Sequence, residues 1–237
     1  MQASKENEIY RSRQEIQISK DVNLAEGNFK VRNLKTAEDF KKAFKLRHQI
    51  FANELKWVAS SDDGLEIDEY DLNAESFGVF NHNEQLCAYM RLIIGGTPFM
   101  MEKEFKFLVD EKHWIRNFPD TAEVSRLCIA PESRNDTVTG NFGLHSITIL
   151  LLKGVYQWCK KNGVNYLYAV TEERVYRLFR AKGFPFYSIG EPRKMPDGVV
   201  AAALMMDWSD FVEKNKTKRP RMLGWFNQAG LSQHLWQ

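Results

Sequence analysis

The chain has 237 residues, of which 43% are apolar and 13% aromatic, and its formal net charge is +2. This composition supplies a sizeable core and excludes wholesale disorder, and the nearly balanced charge gives no support for a nucleic-acid-binding protein. Three separated cysteines without CxxC spacing indicate a reducing compartment. The charged N-terminus lacks a signal-peptide core, and no apolar run is long enough to cross a bilayer. We therefore expect a cytoplasmic protein with neither a membrane nor a nucleic acid as partner.

The N-terminal half predicts an arm, a helix and a hairpin. Residues 1–28 are polar with little periodicity and are expected to form an arm ahead of the domain. Between Thr36, a suitable N-cap, and Leu55, apolar residues recur at three- and four-residue steps, which predicts an amphipathic helix. After an acidic loop at 60–71, two strand-like segments flank Asn81–Glu84, which predicts a β-hairpin.

The C-terminal half alternates strands with helices. The predicted elements are a strand at 122–130, a long helix that ends before Gly163, a strand at 164–170, a helix at 171–182 and a buried strand at 198–208. Leu144 and Trp158 are assigned to the same apolar face of the long helix. This order predicts an α/β domain over residues 29–210, with a mixed β-sheet sandwiched by helices, followed by a basic and aromatic tail at 211–237.

Three arginines and a glutamate interrupt segments that are otherwise patterned for burial. Arg47 lies on the apolar stripe of the first helix, Arg91 in the second hairpin strand, and Glu123 and Arg126 in the next strand. A charge in such a place is costly unless it is paired or bound to a ligand. The candidate counter-charges in the acidic loop are Glu66, Asp68 and Asp71. The alternatives are a structural network of buried ion pairs and a polar cleft for a charged substrate, and the grouping of these residues favours the cleft.

The spacing of Glu123 and Arg126 conflicts with a regular strand. Residues three apart in a strand point to opposite faces, so the two side chains would be separated by the sheet. A β-bulge between them would bring both to one side. We therefore expect a bulge in this strand.

Eight residues of the sequence resemble, in order and spacing, the signature of LuxI-type acyl-homoserine-lactone synthases. They are Arg47, Phe51, Trp57, Asp68, Asp71, Arg91, Glu123 and Arg126. The segments "GGTPFMM" and "RLFRAKGFPFYSIGEPRKMPDGVVAAAL" resemble further parts of the same family, so the resemblance covers roughly residues 30–208. Leu127 departs from the pattern, because an aromatic residue commonly follows the "SR" pair. The resemblance implies an acetyltransferase-like fold with a bulged central strand.

The resemblance also implies a reaction. Such enzymes transfer an acyl group from acyl carrier protein to the amine of S-adenosylmethionine, and the methionine carboxylate then displaces methylthioadenosine to close a lactone, the quorum-sensing signal. It implies no permanently bound cofactor, since S-adenosylmethionine is a co-substrate. A thioester is already activated and needs no enzyme nucleophile, so Cys128 and Cys159 are expected to be core residues. The five histidines show no metal-ligand spacing, and no metal is expected.

Glu123 and Arg126 are the catalytic candidates that the resemblance implies. Glu123 is expected to act as the general base for the attacking amine, directly or through a water, and Glu123→Gln is expected to lower turnover while leaving the fold nearly intact. Arg126 and Arg91 are expected to hold the methionine carboxylate or to brace the acidic loop. Arg47 is expected to anchor that loop across the S-adenosylmethionine pocket.

The remaining candidates are expected to bind substrate. Asp68 and Asp71 pair with the arginines or receive the substrate ammonium. Phe51 and Trp57 offer aromatic surface to the adenine or the sulfonium, although simple core packing is the alternative for Phe51. Ser125 has two alternatives, a hydrogen bond near the thioester or a role within the sheet.

Two other activities compete with lactone synthesis. An enzyme of the same fold can acylate a free amino acid without lactone closure, and a non-catalytic module can keep the fold to bind an acyl group or its carrier. Trp57 and the segment closing the domain favour the lactone synthase over the first. The charged residues are all present, which argues against the second.

Two peripheral segments leave alternatives open. "NDTVTGNFG" (135–143) is expected to be a loop with a helix cap or, less in keeping with its few glycines, a phosphate cradle. The basic run at 214–221 is expected to be a solvated tail or a contact for an acidic carrier protein. The aromatic residues of the tail, Trp225, Phe226 and Trp236, give a third alternative, in which the tail packs on the core.

Overall fold

The computed structural model describes residues 20–140 and 143–228, which fall into two compact units. Of the described residues, the first unit comprises 20–91, 126–140, 143–158 and 228. The second comprises residues 92–125 and 159–227. Most of the predicted N-terminal arm and the C-terminal Trp236 lie outside the described residues.

The elements follow one another as an α/β arrangement. The strands are β1 (Asn23–Glu26), β2 (Phe29–Asn33), β3 (Ala74–Asn81), β4 (Leu86–Ile94), β5 (Thr121–Ile129), β6 (Thr137–Gly140), β7 (Gly143–Ser146), β8 (Tyr166–Glu172), β9 (Tyr187–Ser188), β10 (Arg193–Lys194) and β11 (Val200–Asp207). The α-helices are α1 (Ala37–Arg47), α2 (Met100–Lys103), α3 (Ile147–Asn162), α4 (Glu173–Ala181), α5 (Trp208–Lys218) and α6 (Pro220–Asn227). A π-helix spans His48–Glu54, and 3₁₀ turns span Glu69–Asn73, Lys106–Leu108 and Pro131–Ser133. The predicted fold class, a mixed sheet with flanking helices, is confirmed.

The first unit is built on antiparallel strands. In β2, Val31 lies opposite Leu24 of β1 and Val79 of β3, and all three side chains are buried. Residues 23–26 of the predicted arm therefore form a sheet strand. Helix α3 lies so close to β2 that a Cβ added at Gly154 would come within 2.4 Å of a Val31 methyl carbon, so only glycine fits there.

The first helix begins and continues as its sequence predicts. The Thr36 hydroxyl accepts a hydrogen bond from the Asp39 backbone N–H at 3.1 Å, and the Asp39 carboxylate accepts the Thr36 backbone N–H at 3.4 Å, which forms a capping box. Phe40 and Phe44 of α1 are buried in the core of the first unit. The prediction that the helix continues toward Leu55 is confirmed, but its final turns are π-helical and begin at His48.

The second unit combines parallel and antiparallel pairing. Strand β5 pairs in parallel with β8 over Thr121–Val124, and β8 pairs antiparallel with β11, which also pairs with β9 and β10. Helices α5 and α6 contain most of the segment that the sequence assigns to a tail. Phe211 of α5 lies 5.2 Å, between ring centroids, from both Phe184 and Phe226, and all three rings are fully buried. The apolar side chains of α5 and α6 are therefore part of the core of this unit, as the third alternative for the tail expects. The basic residues Lys214, Lys216, Lys218 and Arg221 lie exposed on the same helices.

Two local predictions need correction or refinement. Leu144 lies in β7 with 66% of its surface exposed, and not on the buried face of α3, because residues 143–146 pair with residues 137–140 as a hairpin. The same hairpin replaces the expected loop or phosphate cradle. Arg126 has a left-handed φ of 54°, which breaks the alternation of β5 directly after its pairing with β8 ends at Val124. This irregularity is what the predicted bulge requires.

Among the described residues, no helix combines the length and the apolar character needed to span a membrane.

Candidate active site

Three arginines and three carboxylates form one cluster within the first unit, which we call the arginine–carboxylate cluster. Its members are Arg47, Glu66, Asp68, Asp71, Arg91 and Arg126. Arg47, at the end of α1, donates from Nε to Glu66 Oε2 at 2.5 Å and from Nη1 to Asp71 Oδ1 at 2.7 Å. The arginine that interrupts the apolar stripe therefore binds the acidic loop, as the sequence predicts.

The other two arginines bind the same loop from the strands. Arg91 of β4 donates to Asp71 Oδ1 at 2.7 Å and binds both oxygens of Asp68, at 2.5 and 3.0 Å. Arg126 of β5 donates from Nη2 to Glu66 Oε1 at 2.9 Å and to Asp68 Oδ2 at 2.8 Å. Three positive and three negative charges thus balance within the cluster, and the planar guanidinium fork suits such multiple contacts.

The acidic loop is also held by hydrogen bonds that do not involve the arginines. Asp68 accepts from the Tyr70 backbone N–H at 3.0 Å, and Asp71 accepts from the Asp68 backbone N–H at 3.0 Å, which caps the turn at Glu69–Asn73. Upstream, the Glu66 backbone N–H donates to the Phe44 carbonyl at 3.1 Å, which ties the loop to α1. The carboxylates of Asp68 and Asp71 are therefore held partly by the loop backbone, so fewer of their rotamers are lost when the arginines pair with them.

Burial and neighbouring charge act in opposite directions on these carboxylates. Burial alone would raise the pKa of Asp71, but the charges of Arg47 and Arg91 overcome it and hold that pKa well below its ordinary value. The pKa of Glu66 is lowered in the same way, against its burial, by Arg47 and Arg126. The partners respond in turn: despite burial, Asp71 raises the pKa of both Arg47 and Arg91. All these groups are therefore ionised at neutral pH.

Exposure separates the framework of the cluster from the part that a ligand can reach. The side chains of Arg47 and Arg91 are 0% exposed, and that of Asp71 is 2% exposed. Arg126 and Asp68 are 13% and 20% exposed. Arg47 Nη2 is buried without a hydrogen bond and lies 3.8 Å from Asp68 Oδ2. Arg126 and Asp68 are thus the members of the cluster best placed to touch a bound molecule.

An aromatic pair lies next to Arg126. The ring centroids of Phe51 and Trp57 are 6.2 Å apart, and the Arg126 guanidinium lies 5.4 Å from the Phe51 ring centre. Phe51 is buried in the π-helix, whereas Trp57 is 43% exposed. π-Helical segments frequently occur at functional sites, where they redirect side chains. Trp57 is therefore accessible to a flat or cationic group, while Phe51 also serves the core, as the alternative for that residue predicts.

Glu123 and Ser125 belong to the second unit. Glu123 is 2% exposed and its two oxygens accept the backbone N–H groups of Met100 and Met101 at 2.6 and 3.0 Å, at the start of α2. These two bonds fix the orientation of the carboxylate. Ser125 lies half-buried in β5.

The structure adds Glu66 to the predicted site residues and shows the surroundings of two cysteines. Glu66 joins Arg47 to Arg126, although the sequence indicated it only as a nearby counter-charge. Cys128 and Cys159 are buried, and burial raises the pKa of each thiol to about 12, as expected of core residues and not of nucleophiles. Within residues 20–140 and 143–228, no group of His, Cys, Asp and Glu side chains is arranged to hold a metal ion.

The family model and the sequence relatives indicate one family. Residues 31–215 match the family model described as autoinducer synthase. An acyl-homoserine-lactone synthase of Rhizobium radiobacter is 29% identical over 167 residues, which cover 68% of this chain and 76% of that protein.

Solved structures show the same fold. The acyl-homoserine-lactone synthase LasI superposes with a TM-score of 0.64 at 20% identity, covering 92% of this chain and all of that one. BjaI, a CoA-dependent acyl-homoserine-lactone synthase solved with S-adenosylmethionine and isopentyl-CoA, gives a TM-score of 0.64 at 21% identity and covers 80% of this chain and 92% of its own.

Proposed function

This chain belongs to the autoinducer synthase family, a family of acyltransferases, and on that premise we propose that it is an acyl-homoserine-lactone synthase. It joins a fatty acyl thioester to S-adenosylmethionine and releases methylthioadenosine. The observation that carries the proposal is the family match over residues 31–215, together with the arginine–carboxylate cluster, whose members are linked to one another by hydrogen-bonded ion pairs.

The reaction has two bond-forming steps. In the first, the neutral amine of S-adenosylmethionine attacks the thioester carbonyl carbon, the carbon–sulfur bond breaks, and the amine proton passes to a base while the thiol leaves. In the second, an oxygen of the methionine carboxylate attacks the carbon next to the sulfonium, whose carbon–sulfur bond breaks to release methylthioadenosine. Glu123 is the proposed base of the first step, since it matches the glutamate of the family signature and backbone N–H groups fix both its oxygens.

The proposed S-adenosylmethionine contacts follow from exposure. Arg126 takes the methionine carboxylate and Asp68 takes the ammonium, because these two members of the cluster reach solvent. Arg47, Arg91 and Asp71 hold them in place without touching the substrate. Trp57 offers its exposed face to the adenine or the sulfonium, a contact worth roughly 0.5–2 kcal/mol. Ser125 is proposed to hydrogen-bond near the thioester.

We propose acyl carrier protein as the donor, with coenzyme A as the competing possibility because BjaI is CoA-dependent. The exposed basic residues of α5, Lys214, Lys216 and Lys218, suit an acidic protein partner better than a small thioester. Lys214 and Lys216 each pair with an exposed carboxylate of the same helix, and both lysines remain exposed at the surface. The three cysteines are unpaired, which supports a cytoplasmic location for the enzyme.

The experiment offers purified protein a panel of acyl thioesters, each as the carrier-protein and the CoA conjugate, with labelled S-adenosylmethionine. Mass spectrometry of the products is expected to find acyl-homoserine lactone, with the carrier conjugates giving the higher kcat/KM. Higher kcat/KM with the CoA conjugates would overturn the carrier assignment alone. Acylated amino acids without methylthioadenosine would overturn the synthase assignment.

A further inference from the structure

The loop that carries Trp57 is tied to the π-helix by a buried histidine. His48, 9% exposed, accepts the Ser61 backbone N–H at Nε2 over 3.3 Å, and the Ser60 hydroxyl lies 3.0 Å from the same nitrogen. On the other side of the ring, Nδ1 lies 3.4 Å from the Asn53 amide. The side chain of His48 therefore joins the two ends of segment 53–61, through Asn53 at one end and Ser60 and Ser61 at the other.

These contacts use both nitrogens of the ring. A backbone N–H can only donate, so Nε2 presents its lone pair to Ser61. On the other side of the ring, Nδ1 faces Asn53 Nδ2. His48 thus contacts segment 53–61 through both ring nitrogens.

Segment 53–61 needs such support because its own backbone is irregular. Lys56 has a left-handed φ of 57°, which is unfavourable for a residue with a side chain. The Trp57 and Val58 N–H groups both donate to the Phe51 carbonyl, at 2.8 and 3.4 Å. The result is a tight reversal that places the exposed Trp57 ring beside Phe51.

The same histidine also fixes the turn that leads from this segment into the acidic loop. Ser61 donates its hydroxyl proton to the Leu65 carbonyl at 2.6 Å and accepts the Leu65 N–H at 3.1 Å, which closes the turn directly before Glu66. His48 itself follows Arg47, the partner of Glu66, in the chain. One side chain therefore sets the start of the acidic loop as well as the place of Trp57.

We propose that His48 is a positioning residue that holds Trp57 in place for S-adenosylmethionine, a role that deepens the proposed function and rests on it. His48 does not touch the reacting atoms; it acts through segment 53–61. Loss of its hydrogen bonds is expected to raise KM for S-adenosylmethionine with little change in kcat or in KM for the acyl donor. The acyl chemistry is unaffected because no bond-forming group changes.

The test compares His48→Phe, which keeps a flat ring without hydrogen bonds, with His48→Gln, whose amide can accept from Ser61. Ser60→Ala is a third variant, at an exposed position where the fold is not at risk. Two hydrogen bonds at ordinary strength correspond to an increase of about tenfold in KM for S-adenosylmethionine in His48→Phe, largely recovered in His48→Gln, and about threefold in Ser60→Ala. Thermal melts accompany each variant.

A readout independent of activity separates this inference from the proposed function. Amide hydrogen exchange of the free protein is expected to quicken at Trp57, Ser61 and Leu65 in His48→Phe, with Phe40 at the start of α1 unchanged. Unchanged exchange at those three amides, or equal losses for both substrates in His48→Phe and Ser60→Ala, would overturn the positioning role. A third outcome is faster exchange in His48→Phe when neither the parent nor any variant binds S-adenosylmethionine. That outcome would support the loop contact and would overturn the proposed function.

Discussion

Arg47 Nη1 donates to Asp71 Oδ1 at 2.7 Å, and the two side chains are 0% and 2% exposed. The same Asp71 oxygen receives Arg91 Nη1 at 2.7 Å, while Oδ2 accepts the Asp68 backbone N–H. Helix α1, strand β4 and the acidic loop therefore meet at one carboxylate. Removing any partner would leave a charge in the interior without compensation, and this dependence can be measured.

Arg47→Ala is expected to lower the free energy of unfolding by about 3–5 kcal/mol, because Asp71 and Glu66 lose a buried counter-charge. Urea denaturation measures the change. The matched control is Arg134→Ala, which breaks an exposed pair with Glu54 and is expected to cost about 0–1 kcal/mol. Equal stability losses in the two variants would show that the buried ion pairs of Arg47 contribute no more to stability than the exposed pair.

Acid is expected to destabilise the protein through the same cluster. The folded-state pKa values of Asp71 and Glu66 lie below their ordinary values of 3.8 and 4.5, so the unfolded chain binds more protons in acid. Their contribution to stability is therefore complete above about pH 5 and is lost as the pH falls below about 4.

Asp71→Asn separates this contribution from general acid effects. The variant is expected to be less stable at pH 7 and to lose less further stability between pH 5 and pH 3, as followed by urea denaturation at each pH. Asp120→Asn serves as the control. Arg116 also lowers the pKa of Asp120, but this pair is screened by solvent, so the variant should keep most of the parent's acid sensitivity. A parent-like pH dependence in Asp71→Asn would contradict the assignment.

Sequence patterns predicted those features whose cause is local. The Thr36 cap, the hairpin at Asn81 and the arginine on an apolar stripe are visible because capping, turn chemistry and the cost of a buried charge act within a few residues. The role of Glu66 was not predictable, since whether a loop carboxylate points inward depends on how the whole loop folds. The irregularity at Arg126 was predictable because two charged residues three apart conflicted with strand geometry.

Other errors arose where tertiary pairing prevailed over periodicity. Leu144 continues the apolar spacing of α3, yet its backbone pairs with Thr139 in the β6–β7 hairpin. The aromatic residues after Trp208 were visible in the sequence, but their burial depends on Phe184, which lies far earlier in the chain. Long-range contacts of this kind leave no local pattern.

Glu123→Gln is expected to lower turnover by at least about 100-fold if Glu123 is the base. The variant is also expected to destabilise the fold by about 1–3 kcal/mol. The glutamine oxygen can accept only one of the two backbone N–H groups of Met100 and Met101, and the NH₂ group then faces the other donor. The structure thus adds a stability cost to the expectation, made from sequence, of a nearly intact fold.

The matched control is Glu102→Gln, at a carboxylate that accepts the Phe99 N–H at 2.8 Å and an Asn117 amide proton at 2.7 Å. Turnover is expected to stay within about threefold of the parent, because Glu102 has no proposed part in proton transfer. Its stability loss is expected to be smaller than that of Glu123→Gln, because both bonds end on Oε2, whose place the glutamine oxygen can take. Turnover that falls equally in both variants would remove Glu123 as the base.

The C-terminal helices are expected to carry stability. Phe226→Ala removes a buried ring that packs on Phe184 and Phe211 and is expected to cost about 3–5 kcal/mol. Arg221→Ala, at an exposed position of α6, is the control and should leave the melt unchanged. A Phe226→Ala melt equal to that of the control would show that the helices are a dispensable extension.

A carrier-binding role for the basic run is best tested without deleting those helices. Lys214→Glu with Lys218→Glu reverses two exposed charges of α5 and leaves its buried Phe211 in place. The expected result is a higher KM for acyl carrier protein and a weaker dependence of that KM on salt, with kcat unchanged. Parent-like kinetics at low and moderate salt would exclude a contact between this run and the carrier.

The stoichiometry of a single turnover tests the central claim most directly. Enzyme in excess over labelled S-adenosylmethionine and acyl-carrier thioester is quenched over time, and free carrier thiol, methylthioadenosine and acyl-homoserine lactone are quantified together. Lactone synthesis predicts one of each per S-adenosylmethionine consumed, with thiol release no later than methylthioadenosine release. Thiol release without methylthioadenosine, or methylthioadenosine without an acylated lactone, would contradict the account.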